Sequence, residues 1–560
     1  MKKLFIYLLL FPFLGYSQLS IIGKWQNTEF IGHDGAKAYI NKIENGRTYT
    51  FEENGIVKNL QDNIGIYELK GDSLKISFTN SKTEFYRINY DKSNLNQIAF
   101  FPVTEKYQFL CIEGCAELFE KRNIAEKEGD LVIINAKLLD VKSGKIHPNQ
   151  TLLISNGIIK EISTKKNYKG IETIDAKGKL VTPSFIDPHI HPTDVFGDYD
   201  KAPENLPKDS LQILRKKLSD EYLPYGTTTV MTMGQPENWV NDLLFWQKKP
   251  EPDNVDFIVC GGALISKDNR KPYIGHTEVT SPELAKQKIL EYHRLDIQHI
   301  KLYHRLKEPE FSTITKIADS LNIKVYGHIG DFSPEYLTIN QTLEKGLKNY
   351  EHLALIPNSI ITSDDDWTKL ENQFKNNFGE LNSESKVIEF FLEQFRFIKE
   401  HKETEMQLFF KNLKQNNATF STTLHRLYEQ FEPTYFTQRQ DTSLTPKQIE
   451  RCKENFEIMM NYVKQMHNLG IEIRLGSDMR NGGKVNLSEL IILAKYGFNT
   501  ADIFKIASYN GAKAIGIENE TGSIEKGKKA NFIIWSKNPV DNFNNLNSPK
   551  TIFKDGKIIK

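Results

Sequence analysis

Two histidines separated by one residue, His189 and His191, close an apolar run that begins at Leu180 and reads Leu-Val-Thr-Pro-Ser-Phe-Ile-Asp-Pro-His-Ile-His. On a strand, residues two apart share a face, so both imidazoles reach one point at its C-terminal end. An isolated His-x-His is equally a metal site or a chance spacing around a core histidine. The downstream sequence favours the metal. Lys301 lies in Ile297-Gln-His-Ile-Lys-Leu-Tyr303, His328 in Lys324-Val-Tyr-Gly-His-Ile-Gly330, His352 in Asn349-Tyr-Glu-His352 and Asp478 in Arg474-Leu-Gly-Ser-Asp478, each late in an apolar segment. Imidazole and carboxylate are donors suited to zinc and its neighbours.

These groups meet only if the chain brings several strand ends together. Between about 180 and 524, apolar strands alternate with helical patterns, the signature of a parallel α/β architecture. Eight strands are predicted: Leu180 to His191, Gly226 to Gly234, Asp256 to Leu264, Ile297 to Tyr303, Ile323 to Gly330, Lys348 to Leu353, Ala418 to Leu424 and Glu472 to Asp478. They fit a (β/α)8 TIM-like barrel with its active site at the C-terminal ends of the strands. The helix before the last strand is marked by Thr445 as N-cap, Pro446, Gln448 three after the cap, and Gly470. Residues 354–417 are too long for one βα connection and predict a helical insert. Val387, Phe390, Phe391, Phe395 and Ile398, then Met406, Phe409, Phe410 and Leu413, follow helical spacing and read as core between its helices. Leaving from the sixth strand's end, the insert is also placed to cap the active site.

The barrel is flanked. Leu131-Val-Ile-Ile-Asn135 and Thr151 to Ile162 before it, and Asn531-Phe-Ile-Ile-Trp535 and Thr551 to Lys560 after it, are β-rich, predicting one β-sandwich assembled from 123–179 and 525–560. Residues 19–122 break into short alternating strands such as Gly46 to Phe51, Gly65 to Leu69 and Ser73 to Phe78, separated by turns, which argues for a small all-β barrel or sandwich. Residues 1–18 carry Lys2 and Lys3, then an apolar run too short to span a bilayer, and read as a signal peptide. The mature chain is therefore expected to be periplasmic or secreted, without a transmembrane segment. Its 73 basic and 72 acidic side chains nearly cancel, which removes the electrostatic case for nucleic acid as partner. Of four cysteines, Cys111 and Cys115 flank a turn-like spacer and are expected to form a local disulfide, while Cys260 and Cys452 read as buried thiols.

From about Leu131 onward the chain resembles the amidohydrolase superfamily, nearest its imidazolonepropionase-like and prolidase-like members. The resemblance rests on the ligand candidates together with Gly178 to His191, Tyr225-Gly-Thr-Thr228, Ala507-Ser-Tyr-Asn-Gly-Ala512 and Gly522 to Ala530; Asn531 departs from the Asp usual after that alanine. Within 19–122, Ile21-Ile-Gly-Lys-Trp25, Gly55 and Gly65-Ile-Tyr67 resemble lipocalin-like domains, with a filled accessory barrel at least as expected as a ligand cavity. The first resemblance implies a site of His189, His191, Lys301, His328, His352 and Asp478. It holds two zinc ions, or another divalent metal, bridged by a carbamate on Lys301; the bland alternative is one metal and a lysine that neutralises carboxylates. It implies hydrolysis of a carbon–nitrogen bond in a small peptide or cyclic amide by metal-activated hydroxide, with Asp478 moving the proton. Tyr303, His276, His425 and Arg426 are the candidates for holding substrate, Arg426 for a substrate carboxylate. Lactone, ester or phosphoester hydrolysis at the same metals is the second enzymatic reading. A non-catalytic small-ligand-binding protein is the third, and the complete ligand set stands against it. Oligomeric state is not legible.

Overall fold

The computed structural model describes residues 21–33, 38–44, 46–52, 55–59, 63–78, 83–90, 94, 96–110, 115–122, 127–164, 168–197, 201–267, 275–330, 336–434, 436–439 and 443–559. The expected leader at 1–18 and the Cys111 half of the expected disulfide lie outside them. The chain forms two compact units, Met1–Glu128 with Asn167–Lys169, and the remainder from Gly129.

The first unit is an all-β closed barrel. Nine antiparallel strands run mostly in sequence order, and the first, Gly23–His33, also pairs with the last, Ala116–Arg122, which closes the sheet. Closure removes the free edge that a meander of alternating strands otherwise leaves. The inward residues Trp25, Tyr49, Phe51, Phe100 and Phe119 are buried against one another, and the Trp25 indole donates to the Ile21 carbonyl at 2.7 Å. Aromatic side chains thus fill this interior.

The second unit holds the barrel that the metal-ligand candidates require. Phe185–Ile190, Thr227–Thr232 and Asp256–Ile258 pair in parallel; Gly261–Ile265 continues the third strand and pairs with His299–Leu302. Lys324–Gly327, Asn349–Tyr350, Thr419–Ser421 and Glu472–Arg474 follow in parallel. Eight strand positions in chain order, alternating with helices, are the (β/α)8 pattern. The first and eighth strands are joined beyond their ladders, where the Asp478 amide donates to the His189 carbonyl at 3.0 Å and the Ser477 amide to Asp187 at 3.2 Å.

The first predicted strand is in fact two. Leu180–Pro183 pairs with Phe532–Trp535 in a separate sheet, and Phe185–Ile190 enters the barrel. Pro183 has no N–H to continue a ladder. The next two amides change partners, Ser184 bonding to Asn531 and Phe185 to Gly226. That separate sheet has eight strands and includes Lys127–Leu139, Ile146–Ser155, Ile158–Ser163 and Lys550–Lys554, so it draws on both flanks of the barrel.

The insert forms the helices Asp364–Phe378, Glu384–His401 and Glu403–Gln415. Phe390, Phe395, Ile398, Met406, Phe409, Phe410 and Leu413 join the main core as their spacing predicts. The insert begins directly after His352, with a short helix at Leu353–Ser359. Its middle helix lies along Pro446–Asn468, where Asn455 donates to Glu393 at 2.8 Å and Arg451 pairs with Glu393. The apolar stripes are used in this helical layer. Among the described residues, no helix is long and apolar enough to cross a membrane.

In Phe532–Trp535 all four residues are buried because the strand has two covered faces. Phe532 and Ile534 enter the flanking sheet's core, while Ile533 and Trp535 enter the barrel's. Trp535 meets Phe185 and Phe504 with ring centroids at 6.3 and 6.0 Å, and its indole donates to Thr182 at 2.9 Å. Trp535→Ala removes both the packing and that bond and should destabilise the second unit by about 3–5 kcal/mol. Thermal unfolding followed by calorimetry reads this as a lower Tm for the larger transition, with the small barrel's transition unmoved.

Candidate metal centre

His189, His191 and Asp478 stand where the first and eighth strands end, and their donor atoms all lie within 4.8 Å of one another. The Nε2 atoms of His189 and His191 face the same carboxylate oxygen, Asp478 Oδ1, at 3.3 and 2.9 Å. Each opposite ring nitrogen is engaged. Nδ1 of His189 meets Glu351 at 2.6 Å, and Nδ1 of His191 meets the Gly234 carbonyl at 3.2 Å. His352 differs, since its Nδ1 lies both 3.1 Å from the Thr423 hydroxyl and 3.7 Å from Asp478 Oδ2. A partner on one ring nitrogen fixes the tautomer and leaves the other nitrogen as a donor to a metal. The donor set therefore fits a divalent cation by chemistry and by orientation.

The remaining predicted ligands gather at the same mouth. Rings follow one another from Tyr303 to His328 at 4.8 Å, His328 to His352 at 4.4 Å, His352 to His189 at 4.8 Å and His189 to His191 at 5.6 Å. Lys301, at 1% exposure, lies in the field of Glu351 and Asp478. Backbone conformation helps to aim this set: His352, Thr423 and Asp478, just past the sixth, seventh and eighth strands, have φ of 65°, 47° and 50°. Left-handed non-glycine residues are uncommon, and a β-branched one is an outlier held by its surroundings.

Charge follows burial. Burial disfavours the charged form of His328 and lowers its pKa well below the usual value, helped by His352 and His304; burial likewise takes His352 to about 3. Both rings are thus neutral at physiological pH, the form that binds metal. Burial also lowers the Lys301 pKa, against the attraction of Glu351 and Asp478. For Asp478, burial alone would raise the pKa, but His189, His191 and His352 hold it well below the carboxylate range. Glu351 follows the same logic: burial opposes its charge, and Arg474 with His189 outweighs burial and keeps it anionic.

Glu351 is the residue that sequence reasoning missed. It is 1% exposed, paired with the 1%-exposed Arg474 and bonded to His189. The available signal was an acid beside a ligand histidine in Tyr350-Glu351-His352, with a matching arginine in the last strand. His304 was also passed over as a strand-end residue; its ring lies 5.1 Å from His328.

The substrate candidates divide. His276 stacks near Tyr303 at 4.6 Å, so these two belong to the histidine mouth. His425 is fully buried, with Nδ1 on Ser488 at 2.8 Å, Nε2 3.4 Å from Glu429 and its ring stacked on Phe436 at 5.0 Å. The Arg426 guanidinium is 3.5 Å from the same Glu429. His425 is thus held in a packed polar cluster past the seventh strand, while the Arg426 side chain is 41% exposed.

A family model described as "Amidohydrolase family" matches residues 403–559. The chain is 24% identical to an adenine deaminase of Bacillus velezensis over 235 residues, which is 39% of this chain and 34% of that protein. It is 27% identical to a dihydroorotase of Staphylococcus aureus over 153 residues, 26% of this chain and 30% of that one. The chain thus spans about a third of the length of the curated relatives it matches. Among solved structures, a Xaa-Pro dipeptidase with methionine bound in its active site superposes with a TM-score of 0.53 at 16% identity, covering 77% of this chain and 99% of that one. The family match over residues 403–559 and the partial likenesses to its members support the amidohydrolase resemblance for the second unit, the solved structures share its fold, and an all-β closed barrel precedes it.

Because Glu351 fixes His189 and balances Arg474, Glu351→Gln should weaken metal binding by about 10–100-fold, the usual cost of losing a partner behind a ligand histidine. Competition between the protein and a calibrated zinc chelator measures this.

Proposed function

We propose that this chain is a metal-dependent hydrolase of carbon–nitrogen bonds in small molecules, with His189, His191, Lys301, His328, His352 and Asp478 as its metal ligands. One observation carries the proposal: His189, His191 and His352 each have Nδ1 tied to a fixed partner, and two of them present Nε2 to one carboxylate oxygen. Zinc or a similar divalent cation supplies Lewis acidity to a substrate carbonyl and lowers the pKa of water. Asp478 is anionic at neutral pH and accepts a proton from the attacking water, then returns it to the leaving nitrogen. Tyr303 stands beside His328 and His276 beside Tyr303, where the two hold the substrate's far side. Lys301, whose buried amine is biased toward its neutral form, could add through nitrogen to carbon dioxide with loss of a proton, and the carbamate so formed would offer carboxylate oxygens to a divalent cation.

The choice of bond is supported by the company the chain keeps, namely an adenine deaminase, a dihydroorotase and a Xaa-Pro dipeptidase. Residues 1–18, with two lysines before an apolar run, support export to the periplasm or beyond.

Protein prepared with zinc and bicarbonate should carry bound metal and turn over dipeptides or cyclic amides. Chelation should abolish turnover and zinc should restore it, with His191→Ala inactive under both conditions. Lactones or phosphoesters turned over while every amide stays inert would exclude the carbon–nitrogen reading.

A further inference from the structure

We infer that Glu489 is a positioning residue for the metal centre: it clamps the turn after the seventh strand so that Thr423 can hold His352. The inference rests on the metal-site reading above. Glu489 belongs to the helix Gly482–Lys495 and is fully buried. Among the described residues no ion pair reaches it, and a carboxylate buried without a cation is costly unless other hydrogen bonds compensate. Its bond is to backbone, since Oε1 accepts from the His425 amide, and it lies against the Leu424 amide as well.

Those amides immediately follow Thr423, the β-branched residue at φ 47°. On the other side, the Thr422 amide donates to the Arg474 carbonyl at 3.0 Å and the Thr423 amide to Gly476 at 3.3 Å. The strained residue is therefore gripped by the eighth strand before it and by Glu489 after it. Ser488, bonded to His425 Nδ1, strengthens the second grip from the same helix. The geometry explains what the strain achieves. In the left-handed conformation the Thr423 hydroxyl reaches His352 Nδ1, which fixes the orientation of that ring beside Asp478. Released to an extended conformation, the same threonine points elsewhere and His352 is free to rotate.

The test is a double-mutant cycle read by zinc(II) affinity on the full chain, through competition with a chelator. Thr423→Val deletes the hydroxyl at constant shape and should lower affinity by about 10–100-fold. Glu489→Leu should give a similar loss, and the double variant should be no worse than the weaker single one, because both changes break one linkage. Glu489→Gln keeps an oxygen acceptor and should stay close to the wild type. Glu489→Asp withdraws the carboxylate by one methylene, should lose affinity, and serves if the leucine variant does not fold. Losses that multiply in the double variant overturn the inference. So does a Glu489→Leu or Glu489→Asp protein with lowered Tm but unchanged zinc affinity, which marks a purely structural role. A wild-type chain that takes up no zinc overturns the metal-site reading itself, and this inference with it.

Discussion

The centre depends on a carboxylate in an otherwise prohibitive place. Glu351 sits in the barrel's interior between the Arg474 guanidinium and the His189 ring, all at about 1% exposure or less on their side chains. Alone, any of these charges would be expelled or neutralised by the low dielectric around it. Together they form a short chain that crosses from the eighth strand to the sixth and on to the first. Arg474 also donates to the Tyr350 carbonyl at 3.1 Å and to Thr419 at 2.7 Å, so it ties the eighth strand to both the sixth and the seventh. The electrostatic requirement of one buried acid thereby sets the register in which the strands deliver their histidines.

The same region shows how conformational strain is distributed. Three consecutive strand ends place a non-glycine residue in the left-handed region, and two of these residues are themselves ligand candidates. A strand that continued straight would carry its last side chain outward along the barrel axis. Turning sharply at His352 and Asp478 keeps the imidazole and the carboxylate over the mouth. Such turns persist only where neighbours over-determine them. Here the neighbours are backbone amides and carbonyls of adjacent strand ends, among them the bond from Asp478 to His189.

Much of this was readable in the sequence, and its limits have physical causes. The histidines and Asp478 were legible because each is a polar donor ending an apolar strand, a local pattern. Alternation made the N-terminal all-β unit legible but left barrel and sandwich open, because closure depends on the pairing of its first and last strands. Glu351 was not, because its meaning depends on Arg474, which lies 123 residues away and acquires a partner only when the barrel closes. The break at Pro183 was hidden by continuous hydrophobicity: Leu180 to Ile190 is buried throughout, although its two halves are buried against different sheets. The bonds of His425 to Ser488 and Glu429 were not legible, because they join it to residues distant in sequence or set by the turn. The insert's helices were legible from spacing, whereas the partner of its middle helix, Pro446–Asn468, is a choice that spacing cannot disclose.

The pairing of Leu180–Pro183 with Phe532–Trp535 also sets a timetable for the chain. The indole of Trp535 finds Thr182 across 353 residues of sequence, and Ile533 packs beneath Gly226 at the start of the second barrel strand. Contacts so far apart close late, since the entropy of the intervening loop must be overcome before they give anything back. On the ribosome, the strand leading into the metal centre waits with one edge open until nearly the whole protein has been made. An apolar edge exposed for that long is an invitation to mispair. Maturation of this protein should therefore depend on whatever shields that edge during synthesis, and its yield in a foreign host should respond to translation speed and chaperone supply more than to the stability of the finished fold.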